Sequence, residues 1–168
     1  MMNQVQCAAE PRPVFSTAAT GGAEDAAEVL LTLTVADQLC GVPVLSVRDV
    51  LGAQAIARIP LAPPEVAGSL NLRGRIVTAI DLRCRLGLPP LEADARGMSV
   101  VVEREGELYS LLVDRVGDVV PLARADRAAN PPTLDPLWRE VAAGIHRLDS
   151  RLCILLDVER VLAIGTAR

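Results

Sequence analysis

Two stretches of this chain repeat each other, and the repeat constrains the fold more than any other feature. L-C-G-V-P-V-L-S-V-R-D-V-L at Leu39–Leu51 aligns with L-Y-S-L-L-V-D-R-V-G-D-V-V at Leu108–Val120, an offset of 69 residues. Val44 meets Val113, Val47 meets Val116 and Asp49 meets Asp118. Farther along the offset is 76, so that Gly68 meets Gly144, Asp81 meets Asp157 and Leu86 meets Leu162. The change in offset places an insertion in the connection Ala123–Trp138. Matches of this length mark duplicated units rather than a solenoid.

Each unit carries four or five short apolar, β-branched runs separated by turns, the pattern of a small barrel. Half of the 168 residues are apolar, yet only Phe15, Tyr109 and Trp138 are aromatic, so Val, Leu, Ile and Ala must build the core. The expected fold is all-β with short helices: two packed barrels with helical corners. Order should begin near Glu28, where V-L-L-T-L-T-V opens a strand. Asp37-Gln38 makes a hairpin turn, Leu39–Val44 returns, and Val47, Val50 and Leu51 continue an apolar face into a third element. Proline-rich breaks at Pro60–Pro64, Pro89-Pro90 and Pro131–Pro136 mark loops. Asp135-Pro136 reads as an N-cap followed by proline at the first helical position. Residues 1–27 lack periodicity and are expected to be a disordered tail. Residues 28–164 are expected to form the folded part, in approximate halves 28–92 and 96–164, with 165–168 a short C-terminal tail.

The stretch Pro64–Gly87 is the densest in local signals. Asn71-Leu72-Arg73-Gly74 reads as a tight turn, with Asn tolerant of left-handed backbone and Gly74 free of a Cβ. Ile76, Val77, Ala79 and Ile80 read as a buried strand. Asp81 follows at an N-cap position, Leu82–Leu86 supplies a turn or two of helix, and Gly87 with Pro89-Pro90 stops it. Turn, strand and capped helix hold an arginine on a rigid platform without catalytic apparatus.

Composition removes several function classes. Net charge is −4, so the chain lacks the basic footprint of a nucleic-acid binder. All 17 basic residues are arginine, which excludes a phosphate-loop lysine, a Schiff-base lysine and a lysine general base. His146 is the only histidine, so one chain cannot assemble a multi-histidine metal site or relay. Cys7, Cys40, Cys84 and Cys153 show no C-x-x-C spacing and read as reduced, buried thiols. No apolar run reaches the ~18 residues of a membrane span, and the amino terminus lacks signal-peptide character. A soluble, cytoplasmic protein without direct membrane insertion is expected, with no metal or cofactor. An enzyme needs a nucleophile with a base, a metal or a phosphate cradle, and none can be assembled.

Three segments together resemble the CheW family of chemotaxis coupling proteins. They are Gly41–Val50, then Ile59-Pro60 with Gly68, Asn71-Leu72-Arg73-Gly74 and Ile80-Asp81-Leu82-Arg83, and finally Asp114–Val120 with Arg151–Leu162. The resemblance spans about Glu28–Ile164. It implies two intertwined SH3-like five-stranded barrels, with the first strand a candidate to cross to the other barrel, and no enzymatic activity. It implies two partners: the regulatory domain of a CheA-type histidine kinase and the cytoplasmic tip of methyl-accepting chemoreceptors, with recruitment to membrane-bound receptor arrays. The residues it assigns to receptor binding are Val47, Asp49, Gly68, Asn71, Arg73 and Gly74, with Asp49 near Arg73; kinase-contacting residues are unassigned. The rival readings are a small-molecule-binding sensor, with a ligand between the barrels, and a structural array subunit.

Other residues have plainer expectations. Arg75, Arg83 and Arg85 read as solvated charges, and Asp81 and Asp157 as helix caps. His146 reads as a surface or hydrogen-bonded residue. Trp138 reads as part of a satellite core.

Overall fold

The computed structural model describes residues 26–92 and 95–164. Most of the expected tail, 1–25, lies outside the described residues, as do 165–168 and Cys7. The first strand begins at Ala27, one residue before Glu28. In chain order the elements are β1 (Ala27–Val35), β2 (Gln38–Pro43), β3 (Val47–Leu51), β4 (Val66–Leu72), β5 (Arg75–Asp81) and α1 (Leu82–Arg85). The second half follows with β6 (Met98–Arg104), β7 (Glu107–Val113), β8 (Arg115–Ala123), α2 (Pro136–Val141), β9 (Ala142–Leu148), β10 (Arg151–Leu156) and α3 (Val158–Leu162).

These strands form two five-stranded sheets, ordered β3-β6-β7-β5-β4 and β8-β1-β2-β10-β9, referred to below as barrels I and II. The sequence repeat maps one onto the other strand for strand. Cys40 lies opposite Ile154 in a parallel pair, and Tyr109 opposite Thr78 in its counterpart, at matching repeat positions. The inserted residues sit between β8 and β9 and include α2.

The barrels are intertwined by whole hairpins, not by the first strand alone. β1–β2 leaves its own half to pair with β8 and β10, while β6–β7 pairs with β3 and β5. A lone half would expose the strand edges that this exchange covers.

One hydrophobic core lies between the sheets. Leu33, Val35, Cys40 and Val42 from barrel II meet Ile80, Leu82, Val100, Val102 and Leu111 from barrel I. Trp138 belongs to this main core rather than to a satellite. Val47 and Val116 pack against it at equivalent places, both half-buried. A small second cluster, Leu70, Val77 and Ala79, fills barrel I.

Local chemistry explains the turns and caps. The first hairpin turns at Ala36-Asp37, one residue earlier than expected, with φ of 48° and 65°. Two consecutive left-handed residues match the right-handed strand twist, and Gln38 is left free to begin β2. Asp81 caps α1 by accepting from the backbone N–H groups of Arg83 and Cys84. Asp157 caps α3 through Glu159 and Arg160, and Asp135 caps α2 ahead of Pro136.

Four residues behave differently from their expectation. Ile76 is 81% exposed, because side chains alternate across β5 and the buried face belongs to Val77 and Ala79. Arg85 is 7% exposed and donates to the Arg160 and Val161 carbonyls at 3.1 and 3.3 Å, joining the Ala163 N–H at the Arg160 carbonyl in capping the end of α3. Arg83 grips Asp114 in a fork, Nη2–Oδ2 at 2.6 Å and Nε–Oδ1 at 2.8 Å. Asp114 stands where the chain passes from β7 in barrel I to β8 in barrel II, and it also accepts from Ala36 N–H at 2.8 Å. Its hydrogen bond to Arg83 holds its carboxyl below the ordinary carboxylate range and raises the guanidinium's proton affinity in turn.

His146 is the fourth. It is 1% exposed on β9, and neither ring nitrogen has a hydrogen-bond partner. Its Nε2 stands 3.9 Å from Glu28 Oε2, but burial lowers its proton affinity and favours neutral imidazole, so we read the contact as no ion pair. Glu28 is instead paired with Arg127 at 2.6 Å. Arg75 is exposed as expected. Cys40 and Cys153 are buried, with burial pushing both thiols up, Cys153 to about 11; such thiols are unreactive at neutral pH.

Candidate docking site

β4 and β5 are joined by a two-residue turn, Arg73-Gly74, with φ of 51° and 85°. Left-handed backbone suits Gly74 and is uncommon for arginine, and Asn71 helps to hold it. Asn71 is the last exposed strand residue before the turn rather than its left-handed member, and its Oδ1 accepts from Gly74 N–H at 2.8 Å. This asparagine bond substitutes for a backbone turn bond.

The turn projects Arg73 into solvent with its side chain 82% exposed. From there Nη2 reaches Asp49 Oδ2 on β3 at 3.1 Å. Asp49 is oriented by a second bond, Oδ1 accepting from Val50 N–H at 2.8 Å, and its side chain is 26% exposed. A pair this open contributes about 0–1 kcal/mol to stability. Its consequence is positional: a planar multi-donor cation is pre-aimed beside a half-buried carboxylate.

Of the six residues assigned from sequence, Asp49, Asn71, Arg73 and Gly74 form this cluster. Gly68 lies at the other end of β4, with φ 150°, where a Cβ would collide with the Ala57 carbonyl. It lets residue 57 bridge to Ser69 through two 2.8 Å bonds and therefore shapes the strand. Val47 packs toward the core beside Val102. Ile76, cross-strand from Asn71, is the exposed apolar neighbour that the apolar-run reading missed, although the period-two alternation around Val77 pointed to it.

Among the described residues, no three His, Cys, Asp or Glu side chains converge to hold a metal. Also among them, no helix is long and apolar enough to cross a membrane. A cavity of about 260 Å³ between Ile56, Leu91, Met98 and Leu112 has Arg83 and Asp114 on its wall, and those two are committed to each other.

The described residues thus form two interlocked five-stranded sheets with an arginine displayed at one turn. Residues 29–165 match the CheW-like domain, and the chain belongs to that family. A probable chemotaxis protein CheW of Rhizobium etli is 31% identical over 134 residues, covering 80% of this chain and 86% of that protein. The chemotaxis protein CheW of Klebsiella aerogenes is 29% identical over 140 residues, covering 83% and 84%. The crystal structure of scaffolding protein TtCheW from Thermoanaerobacter tengcongensis superposes with a TM-score of 0.75 at 26% identity, covering 84% of this chain and 97% of that one. The protein is a chemotaxis scaffold or coupling adaptor, not an enzyme.

Proposed function

We propose that this adaptor couples the cytoplasmic tip of methyl-accepting chemoreceptors to the regulatory domain of a CheA-type histidine kinase, and that the Arg73–Asp49 turn is its receptor-facing site. On this reading it works in the cytoplasm and is recruited to receptor arrays. The observation that carries the reading is the 82% exposed Arg73 held on a hydrogen-bonded two-residue turn beside Asp49. Interface arginines commonly cost ~2 kcal/mol or more when lost, about a thirtyfold fall in affinity. Gly68 and Asn71 serve the site by shaping and bracing the hairpin, and Val47 by fixing β3 against the core.

The test is Arg73→Glu, titrated against a soluble receptor-tip fragment and the kinase regulatory domain, alongside a melt followed by circular dichroism. The variant should fold normally, lose about thirtyfold in receptor affinity and keep its kinase affinity. Adding Asp49→Arg should recover part of the loss by restoring the pair in reverse. Unchanged receptor affinity in folded Arg73→Glu protein removes the site assignment.

A further inference from the structure

The interior of barrel I contains two buried hydroxyls that nothing satisfies. Ser99 on β6 and Ser110 on β7 are 1% and 0% exposed, and neither has a hydrogen-bond partner among the described residues. Ser99 stands opposite Leu112, and Ser110 lies two residues from Leu112 along β7, so both serines share the face that packs toward Leu70, Val77 and Ala79. In barrel II the matching places hold Leu30 and Gly41. Leu30 is fully buried, and its Cδ1 comes within 3.1 Å of where a Gly41 Cβ would sit, so the leucine occupies the space over the glycine. In barrel I the smaller Ser99 takes that place and lines the cavity of about 260 Å³, together with half-buried Ile56, Leu91, Met98 and Leu112. An apolar cavity of about 150 Å³ is already large enough for benzene. Buried hydroxyls are ordinarily hydrogen-bonded, so an unpartnered one on a cavity wall marks where a polar group belongs. The charges on the lining are otherwise engaged: Arg83 and Asp114 hold each other, Asp81 accepts from the Arg83 and Cys84 N–H groups, and Arg96 is exposed to water.

We infer that this cavity binds a small neutral molecule with an aliphatic body and one hydroxyl or carbonyl group, the polar group pairing with Ser99 and the body packing on Ile56, Leu91, Met98 and Leu112. A serine hydroxyl both donates and accepts, which admits either polar group. A charged head would leave water for a wall whose buried ion pair is already satisfied, which disfavours it. A water molecule alone would pair with Ser99 but leave the four apolar side chains against solvent. The site belongs to barrel I and is independent of the coupling reading.

The test is a titration of the full chain with n-hexanol, followed by methyl NMR, with n-hexanoate and n-hexylammonium as charged counterparts of the same length. Hexanol should give saturable shifts centred on the Ile56, Leu91, Met98 and Leu112 methyls, with a Kd on the order of 1 mM or tighter. The two charged probes should bind at least about tenfold more weakly. Ser99→Ala should fold normally and bind hexanol about fivefold more weakly, having lost one hydrogen bond. Ser99→Leu copies Leu30 and should abolish the saturable shifts while leaving the melting temperature unchanged or raised; Ser99→Ala keeps the test decisive should that variant not fold. Wild-type shifts that stay linear in hexanol concentration, or that scatter over the surface, leave the cavity to water and overturn the inference. Hexanoate affinity equal to that of hexanol, or unchanged hexanol affinity in folded Ser99→Ala protein, overturns it as well.

Discussion

The Arg73 end of barrel I and the Asp149 end of barrel II share a construction and differ in charge. Both turns join equivalent strands, β4 to β5 and β9 to β10, and both place a residue with φ of 51° at the tip. In barrel I that residue is Arg73, and it meets Asp49. In barrel II it is Asp149, and the residue equivalent to Asp49 is Asp118, so two exposed carboxylates replace an ion pair. The interiors diverge as well. Leu70 of barrel I corresponds to buried His146, while Ser99 and Ser110, both buried without a hydrogen-bond partner, correspond to Leu30 and Gly41. The backbone plan survived duplication because strand register and turn geometry leave few alternatives. The side chains were free to diverge, leaving an ion pair at one tip and two carboxylates at the other.

The largest expected effect concerns the two matched glycines, Gly68 and Gly144, at φ of 150° and 155°. At Gly144 a Cβ would lie 2.9 Å from the Ala128 carbonyl oxygen, and at Gly68 the collision with Ala57 is more severe. Gly68→Ala should therefore cost about 3 kcal/mol or more in urea unfolding and Gly144→Ala about 1–2 kcal/mol. Equal losses would mean that the two bridges are mechanically equivalent after all.

A smaller effect is expected at the Leu70/His146 mismatch. Glu28, Arg127 and Asp126 surround the imidazole, and burial keeps its proton affinity below the ordinary value of 6.5. The unfolded chain thus binds the proton more readily, and stability contributed by the neutral ring is lost as pH falls below about 6.5. His146→Leu, which copies barrel I, should raise stability by about 1 kcal/mol near neutrality and by more at pH ~5.5, flattening the acid limb. Denaturation midpoints measured across that pH range decide the matter; an acid limb unchanged by the substitution would place the sensitivity elsewhere.

The smallest effect is at the barrel II tip. Asp149→Arg would set a guanidinium opposite Asp118, reproducing the barrel I pair, and should add no more than about 0.5 kcal/mol. Asp118→Ala in the same background should erase the gain in a double-mutant cycle. A gain that persists would trace to the turn backbone rather than to pairing.

Much of this fold was legible from local rules. The repeat offsets predicted equivalent strands, and Asp81, Asp135 and Asp157 announced their helices because an N-cap is a contact among residues two or three apart. The Arg73 turn and its proximity to Asp49 were likewise anticipated, the first from turn chemistry and the second from family resemblance. Ile76 was misplaced when a short apolar run was read as uniformly buried, although alternation within the strand carried the correction.

What only the tertiary structure decided involves partners far apart in the chain. Nothing near Arg85 in sequence signals that its guanidinium will close α3, 75 residues away, and nothing near Arg83 points to Asp114 or to Ala36 beyond it. His146 was read as a surface or hydrogen-bonded residue and is buried without a hydrogen bond, because burial depends on which elements close over a residue, not on its neighbours in the chain. The exchange of whole hairpins between barrels has the same origin. Periodicity determines which face of a strand is apolar, whereas pairing is settled by which edges remain uncovered once every strand competes for a neighbour. The sequence alone thus determined a duplicated β unit with a displayed arginine. The packing of the two copies decided which arginines were buried and that the one histidine is closed off from solvent.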